Sequence, residues 1–189
     1  MLFRSHMLGG LDTPSEGEVC IAGKNIAGMN REELTIFRRR KVGFIFQSYN
    51  LVQDLNVYEN IVLPIRLDGK RVDRDFVEEI MQLLQINDKK QALPGTLSGG
   101  QQQRVAIARA LAAKPQIILA DEPTGNLDSV TSHEVMGLLK VVAKRYAQTI
   151  ILITHDQDIA QMADRIVRIE DGRIVSGNLG GKVGDHDAE

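Results

Sequence analysis

Long hydrophobic runs, paired cysteines and tryptophan are missing from this sequence. The single cysteine, Cys20, cannot form an internal disulfide, which favours a small buried thiol in a reduced compartment. No apolar stretch approaches the roughly 20 residues that cross a bilayer, and no secretory signal pattern is present. If the protein works at a membrane, a partner has to do the spanning.

A strong charge of either sign is missing as well. Lys and Arg number 23 against 25 Asp and Glu, so the formal net charge is −2. Such a balanced surface lacks the field that attracts nucleic acid, and no nucleic-acid partner is expected. The histidines, His6, His133, His155 and His186, have no metal-ligand spacing, which argues against zinc. The length of 189 residues and the 43% hydrophobic content suffice for one domain with a smaller subdomain.

The most informative absence is that of GxxxxGK[ST], the turn whose backbone N–H groups and lysine hold nucleotide phosphates. Three Gly-Lys pairs occur, but none has a glycine five residues before its own, and the residues that follow them are Asn25, Arg71 and Val183. None of these pairs can therefore form a phosphate-binding turn of this type.

The segment LSGGQQQR, residues 97–104, combines a serine and two glycines with the start of a helix-forming run. Ser98, Gly99 and Gly100 precede that run, which extends from Gln101 to Ala113. Glycines let a backbone approach a ligand closely, and the first N–H groups of a helix attract anions. This pattern fits a phosphate-facing helix start. Taken alone, the same residues are better explained by an ordinary serine N-cap with a glycine turn.

Two apolar runs end in polar residues. Ile117 to Ala120 reads as a strand of a parallel sheet and is followed by Asp121 and Glu122; a second such strand, Thr149 to Thr154, is followed by His155. Ligands bind at this end of parallel strands. Alternation points the two acids in different directions, so one could hold Mg²⁺ and the other polarise water. An isolated acidic pair is more often a solvated loop, and a lone histidine is more often structural.

A serine-hydrolase interpretation of Ser98 and His155 fails on local sequence. The nucleophile elbow requires GxSxG, and the residue two positions before the serine is Thr96 instead of glycine.

Local signals predict most of the remaining elements. The predicted strands are a side strand at 18–21 with a turn at Gly23, a strand at 42–46 and a hairpin over 166–175. The predicted helices run from Asn30 to about Arg40 with a capping box at Glu33, over 55–67 and 73–86, and from Asp128 onward. The basic run at 38–41 is expected to be a solvated face. The residues expected to face the core from the 73–86 helix and the helix after 128 are Phe76, Ile80, Leu83, Leu84, Val135, Leu138, Leu139 and Val142. The glycine-rich tail, 177–189, is expected to be disordered.

Five segments follow one another in a characteristic order: FIFQSYNL at 44–51, LSGGQQQR at 97–104, IILADE at 117–122, GNLD at 125–128 and ITHD at 153–156. They resemble the Q-loop, signature motif, Walker B strand with catalytic glutamate, D-loop and switch-histidine segment of the nucleotide-binding subunit of ABC transporters. The resemblance covers the chain from Gly9 to Ser176. The segments EPTGNLD and NVYENIVLPIRL are similar to sequences of the branch that serves lipoprotein release, macrolide and antimicrobial-peptide export, and cell-division complexes.

This resemblance implies an α/β fold of the P-loop NTPase type, with a mostly parallel sheet flanked by helices and remnant antiparallel side strands. It implies one domain, 1–189, that lacks its N-terminal strands and P-loop, with a helical subdomain inserted at about 48–96. The segment at 8–19 resembles the end of the helix that the P-loop begins. We therefore expect a truncated gene model, because MLFRS at 1–5 departs from the family and matches a common sequencing adapter; a cloning or expression scar is the alternative.

The resemblance also implies roles for the matching positions. Glu122 is expected to be the general base, and His155 to contact the γ-phosphate of ATP. Asp121 and Gln47 are expected to hold Mg²⁺ and its waters, and Asp128 to link the two ATP sites of a head-to-tail dimer. The residues expected to contact the nucleotide of the second copy are Ser98, Gly99, Gly100 and Gln101.

The implied function is ATP binding and hydrolysis that power a membrane permease, with the protein located in the cytoplasm at the inner face of the cell membrane. The apolar residues Val57, Ile61, Val62 and Leu63 are expected to be mostly core, and otherwise part of the groove for the permease's coupling helix. The alternative function is a catalytically inactive fragment that keeps the docking and dimer surfaces. The missing P-loop discriminates between the two.

Overall fold

The computed structural model describes residues 7–178, with side chains through residue 175. The chain divides between Ile153 and Thr154 into two compact units, which are described separately. In the described residues, no helix combines the length and the apolar character that a membrane span requires. The predictions for His6, His186 and residues 179–189 of the tail fall outside the described residues.

The first unit contains a small antiparallel sheet of β1 (Cys20–Ile21) and β2 (Lys24–Asn25), which confirms the predicted side strand. Its turn has positive φ at Ala22 (50°) and Gly23 (74°), and glycine adopts such a left-handed conformation readily. Strand alternation places Ile21 in the core and Cys20 on the outside. The prediction of a buried thiol was therefore wrong.

Helix α1 (Arg31–Lys41) begins at Asn30, whose side chain accepts the N–H of Glu33 while the Glu33 carboxylate accepts the N–H of Asn30. The predicted capping box is thereby confirmed. The basic last turn, in contrast, is more than a solvated face. Arg38 donates to the Gly10 carbonyl at 2.6 Å, and the adjacent basic residues, Arg39 and Arg40, bond the carbonyl of Leu67 and the carboxylate of Asp68.

The centre of the first unit is a parallel sheet of β3 (Val42–Phe46), β4 (Ile117–Asp121) and β5 (Thr149–Ile153), in that order. These strands confirm the α/β class, and their bounds differ from the predicted ones by at most one residue. The register pairs Phe46 with Asp121 and Asp121 with Ile153, so the three strands end at one level. Ile45 and Ile118 are fully buried, whereas β5 is half-buried along most of its length.

The residues between 48 and 96 form α2 (Val57–Leu67), α3 (Arg74–Leu83) and two 3₁₀ turns (Asn87–Lys89 and Pro94–Thr96). Val57, Ile61 and Val62 are fully buried, as predicted for core residues. Helix α3 ends three residues earlier than predicted. Its buried positions are Val77, Ile80 and Met81, while Phe76 and Leu83 are only half-buried.

Helix α4 (Gly99–Ala112) lies at the centre of the helical packing. It packs against β3, α2, α3 and the next long helix, α5 (Ser129–Arg145). On α5 the buried apolar residues are Val135, Met136, Leu139 and Val142, and Leu138 is half-buried. The helix that carries LSGGQQQR therefore joins the sheet to the helical segment.

The second unit contains a short helix, α6 (Gln157–Ala160), and the antiparallel strands β6 (Ile166–Glu170) and β7 (Arg173–Asn178). The predicted hairpin is confirmed, and its turn residues Asp171 and Gly172 have φ values of 43° and 84°. Strand β7 continues through Asn178, two residues into the segment predicted as a disordered tail.

Candidate functional site

Polar side chains gather where β3, β4 and β5 end. Gln47 follows β3, Asp121 is the last residue of β4 and Glu122 follows it, and the common register puts all three at the carboxyl edge of the sheet. The Glu122 N–H donates to the Ile153 carbonyl at 2.9 Å, which ties the acidic pair to the end of β5. This is the edge at which parallel sheets bind ligands.

Glu122 has a left-handed backbone, with a φ of 46°. A non-glycine residue in this region costs on the order of 1–2 kcal/mol, and such strain is concentrated at functional sites. The left-handed residue also ends the strand, so Glu122 lies in a turn after β4 and not within the strand. Within that turn the Glu122 carbonyl accepts the Gly125 N–H at 3.1 Å.

Gln47 is held by the loop that follows Glu122. Its Nε2 donates to Asn126 Oδ1 at 3.1 Å, and Asn126 Nδ2 donates to the Gln47 carbonyl at 3.0 Å. Gly125 faces the same side chain, because a Cβ at that position would lie 2.6 Å from Gln47 Nε2. The glycine is therefore needed for the close approach of the loop to Gln47.

Ser98 is the N-cap of α4. Its hydroxyl accepts the Gln101 N–H at 3.3 Å, while Gln101 Oε1 accepts the Ser98 N–H at 2.9 Å. The structure thus contains the ordinary cap that the sequence also allowed. A serine hydroxyl that accepts one bond can still donate its hydrogen. The N–H groups of Gly99 and Gly100 precede the first intrahelical donors, so the helix start can serve as both a cap and an anion contact.

The two glycines of this helix start are also required by packing. A Cβ on Gly99 would lie 2.9 Å from the Tyr49 hydroxyl, and one on Gly100 would lie 2.5 Å from Cγ2 of Thr131. The helix start is therefore pressed against both the segment after Gln47 and the first turn of α5. Ligand approach is not the only reason for glycine at these positions.

We expect Gly100→Ala to destabilise the protein by about 1–3 kcal/mol, because the new methyl group overlaps Thr131. Thr131→Ser removes Cγ2 but keeps the hydroxyl, which donates to Asp128 Oδ2 at 2.6 Å. The double variant should regain most of the lost stability in a thermal unfolding measurement. Equal unfolding temperatures for Gly100→Ala with and without Thr131→Ser would contradict this account of the glycine.

Asp128 is the N-cap of α5. Its carboxylate accepts both the hydroxyl and the backbone N–H of Thr131, and these bonds, the hydroxyl first, lower the pKa of Asp128. Because the folded-state pKa is depressed, the cap contributes stability above the ordinary Asp pKa of about 4 and loses it as the pH falls through the lowered value.

The segment after Gln47 has two further supports that sequence reasoning missed. Arg109 on α4 donates to the carbonyls of Tyr49, at 2.7 Å, and Asn50, and both of these residues have positive φ. Burial lowers the pKa of Arg109 and raises that of Tyr49. The fully buried Asn60 on α2 accepts the Val52 N–H at 2.8 Å and donates to its carbonyl at 3.0 Å.

A signal for Arg109 exists in the sequence, since a charged residue interrupts the otherwise small and apolar run IARALA. Buried polar side chains of this kind need partners. Nothing in the sequence, however, identifies Tyr49 and Asn50 as those partners. Asn126 carries no comparable signal, because asparagine is common in loops for its turn-forming ability.

His155 belongs to the second unit. It is exposed and stands directly before Asp156, the N-cap of α6, whose carboxylate accepts the N–H groups of Asp158 and Ile159 at 2.9 and 3.2 Å. Its local setting is thus a strand end followed by a helix start.

A divalent cation fits the donor set of the first unit. The carboxylate of Asp121 and the amide oxygen of Gln47 are the ligand types that Mg²⁺ prefers, and Mg²⁺ in phosphate sites needs only one or two protein ligands. Among residues 7–178 there is no group of three or more His, Cys, Asp or Glu side chains suited to a metal. The two oxygens would supply only part of the octahedral coordination that Mg²⁺ requires.

Comparison with known proteins identifies the family to which this chain is similar and a solved structure with a similar fold. The ABC transporter family model matches residues 5–125. The chain is 46% identical over 167 residues to an uncharacterised ABC transporter ATP-binding protein of Methanocaldococcus jannaschii, covering 87% of this chain and 74% of that protein. It is 47% identical over 173 residues to the macrolide export ATP-binding/permease protein MacB of Photorhabdus laumondii, covering 90% of this chain but only 27% of MacB.

A solved structure shares the fold as well. The dimeric, post-hydrolysis structure of the ATP-binding cassette MJ0796, bound to ADP and Pi, superimposes with a TM-score of 0.81 at 38% identity. The match covers 94% of this chain and 79% of that one.

Proposed function

Because this chain belongs to the ABC transporter family, we propose that in its intact form it binds and hydrolyses ATP as the subunit that powers a membrane permease. The observation that supports this most is the common strand end, which places Gln47, Asp121 and Glu122 at one edge of the sheet. By intact protein we mean these residues together with a phosphate-binding turn, since GxxxxGK[ST] does not occur in residues 1–189.

Glu122 is the proposed general base. A water molecule in line with the scissile bond attacks the γ-phosphorus of ATP, and the bond from that phosphorus to the bridging β-phosphate oxygen breaks, so that ADP leaves. The proton of the attacking water passes to the Glu122 carboxylate. Its left-handed backbone and its N–H bond to the end of β5 hold the Glu122 backbone at the sheet edge, which supports this role. Holding the base in place in advance removes an ordering cost from the reaction.

Asp121 and Gln47 are the proposed holders of Mg²⁺ and its waters. A Mg²⁺ ion held by these residues would offset the negative charge that develops during phosphoryl transfer. Gln47 adds a neutral oxygen, so it can contact a metal-bound water without adding a charge. We assign contact with the γ-phosphate to His155, which belongs to the second unit.

We further propose a head-to-tail dimer of two copies. In this arrangement the α4 start of one copy, from Ser98 to Gln101, reaches the nucleotide held by the other copy, and Asp128 links the two sites. The dimeric state of the similar cassette MJ0796 supports the dimer, and the N-cap of α4, Ser98, is exposed. Closure on ATP and opening after hydrolysis would move the helical segment, 48–96, and with it a permease.

The working location of the protein is then the cytoplasmic face of the cell membrane, where the permease spans the bilayer. The name of the similar protein MacB, which combines ATP-binding and permease parts, supports the pairing with a permease. The permease would select the transported substrate, so we assign no residue of this chain to substrate selection.

The test of this function is Glu122→Gln in the intact protein. We expect ATP binding to persist and hydrolysis to fall by about 10²–10⁴-fold, because glutamine keeps the size but cannot accept the water proton. Turnover of Mg-ATP and equilibrium nucleotide binding measure the two effects separately. Glu16→Gln, a change at an exposed glutamate away from the sheet edge, is the matched control. Unchanged turnover in Glu122→Gln would remove the base assignment.

A further inference from the structure

We infer that Asn126 is a positioning residue that sets which end of the Gln47 amide faces the metal. The inference rests on the proposed role of Gln47 at Mg²⁺. It starts from the reciprocal pair of hydrogen bonds between the two residues, which are 79 positions apart in the chain.

The first step is the orientation of Asn126 itself. A backbone carbonyl can only accept, so the bond to the Gln47 carbonyl at 3.0 Å requires Nδ2 of Asn126 on that side. The amide oxygen of Asn126, Oδ1, must then face the side chain of Gln47.

The second step is the orientation of Gln47. Because Asn126 Oδ1 can only accept, it selects the donor end of the glutamine amide, and Nε2 donates to it at 3.1 Å. The acceptor end, Oε1, is thereby turned away from Asn126. Only this oxygen can bind a cation or accept a hydrogen from a metal-bound water, since an amide nitrogen is not a Mg²⁺ ligand. A flipped amide would present N–H groups to the metal.

The third step is the support of Asn126 by its loop. The loop begins at Glu122, whose carbonyl accepts the Gly125 N–H at 3.1 Å, and continues with the Leu127 N–H donating to the Thr124 carbonyl at 3.0 Å. It ends at Asp128, the cap of α5. Gly125 leaves the space that Gln47 occupies. One loop therefore carries the proposed base at its start, the orienting amide in its middle and the proposed link to the partner copy at its end.

An orienting role of Asn126 can be distinguished experimentally from a role in stabilising the loop. Orientation matters only while the two ends of the side chain at position 47 differ. In Gln47→Glu both ends are oxygens, so either rotation presents a ligand, and the carboxylate cannot donate to Asn126. Removing the asparagine should then cost little. A loss of loop structure, in contrast, would cost the same whichever side chain is at position 47.

The experiment compares Asn126→Ala, Gln47→Glu, Gln47→Ala and the double variant Asn126→Ala/Gln47→Glu in the intact protein. It measures Mg-ATP turnover as a function of Mg²⁺ concentration and, without turnover, the Mg²⁺ dependence of equilibrium ADP binding, which Asn126→Ala should shift to higher Mg²⁺ in the natural background only. In the natural background we expect Asn126→Ala to lower kcat by about 5- to 30-fold and to raise the Mg²⁺ concentration for half-maximal activity, with the KM for ATP nearly unchanged. In the Gln47→Glu background the same substitution should change kcat by less than about 2-fold. Asn87→Ala, at an exposed asparagine in the first 3₁₀ turn, is the matched control.

Equal losses from Asn126→Ala in the two backgrounds would overturn the orienting role and leave a structural one. An Asn126→Ala enzyme as fast as the unmodified protein, together with a slow Gln47→Ala enzyme, would also overturn it while leaving the proposed function in place. A Gln47→Ala enzyme with unchanged rate and unchanged Mg²⁺ dependence would instead remove the metal role of Gln47, and with it the basis of the inference.

Discussion

The 189-residue polypeptide by itself will show no Mg-ATP hydrolysis above the buffer background. The rate of an ABC-type site depends on backbone N–H groups and a lysine that surround the β- and γ-phosphates, and these come from GxxxxGK[ST], which the 189 residues lack. What remains at the strand ends is an amide and two carboxylates. Carboxylates repel a triphosphate that no cation surrounds.

The expected deficit relative to the intact protein is at least about 10³-fold, because removing even one preorganised donor from a transition-state site commonly costs 10²–10³-fold. Phosphate release from the purified polypeptide measures it. Glu122→Gln in the same polypeptide controls for contaminating ATPases, since a contaminant ignores that substitution. Robust turnover that disappears in Glu122→Gln would show that these residues assemble a working phosphate site without the motif.

Sequence reasoning succeeded where a feature depends on neighbours in the chain. The capping box of Asn30 and Glu33, the strand at 42–46 and the hairpin turn at Asp171 and Gly172 each rest on a pattern a few residues long, and all were found as predicted. The parallel strand ends were predictable for a similar reason. An apolar run followed by polar residues indicates a buried strand and the sheet edge at which a ligand binds.

Sequence reasoning failed where the partner is distant or the backbone is unusual. Asn126 and Gln47, or Arg109 and Asn50, are brought together only by the fold, and no local pattern pairs them. The left-handed backbone of Glu122 could not be expected from its residue type, because glutamate is rarely found there. Cys20 was misassigned because composition alone was used, whereas strand alternation decides its exposure.

Two inactive variants of the intact protein will restore hydrolysis when they are mixed. One is Glu122→Gln, which removes the proposed base. The other is Ser98→Asp, which places a carboxylate against the γ-phosphate of the partner's nucleotide and so prevents closure of the dimer. Aspartate caps a helix as well as serine does, so the cap of α4 is kept. Ser98→Asn is the matched control, because it also caps the helix but adds no charge.

The expected rescue follows from the geometry of a head-to-tail dimer. In the heterodimer one composite site collects both lesions, while the other combines the natural Glu122 of one chain with the natural Ser98 of its partner. That second site is whole. With random pairing of equal amounts, half of the dimers are mixed and each has one whole site, so about a quarter of the unmodified rate is expected if single sites turn over independently. Each variant alone should be at least about 10²-fold slower than the unmodified protein.

The mixture distinguishes two placements of Ser98 that single variants cannot separate. If Ser98 and Glu122 contacted the same nucleotide within one chain, every site in the mixture would carry one lesion and no rescue would occur. Heterodimer formation can be verified by capturing one tagged variant and detecting the other. An inactive mixture in which heterodimers are present would therefore assign Ser98 to the nucleotide of its own chain. Activity in the mixture would instead require that α4 of one copy reach across the interface, because no chain in the mixture has both residues.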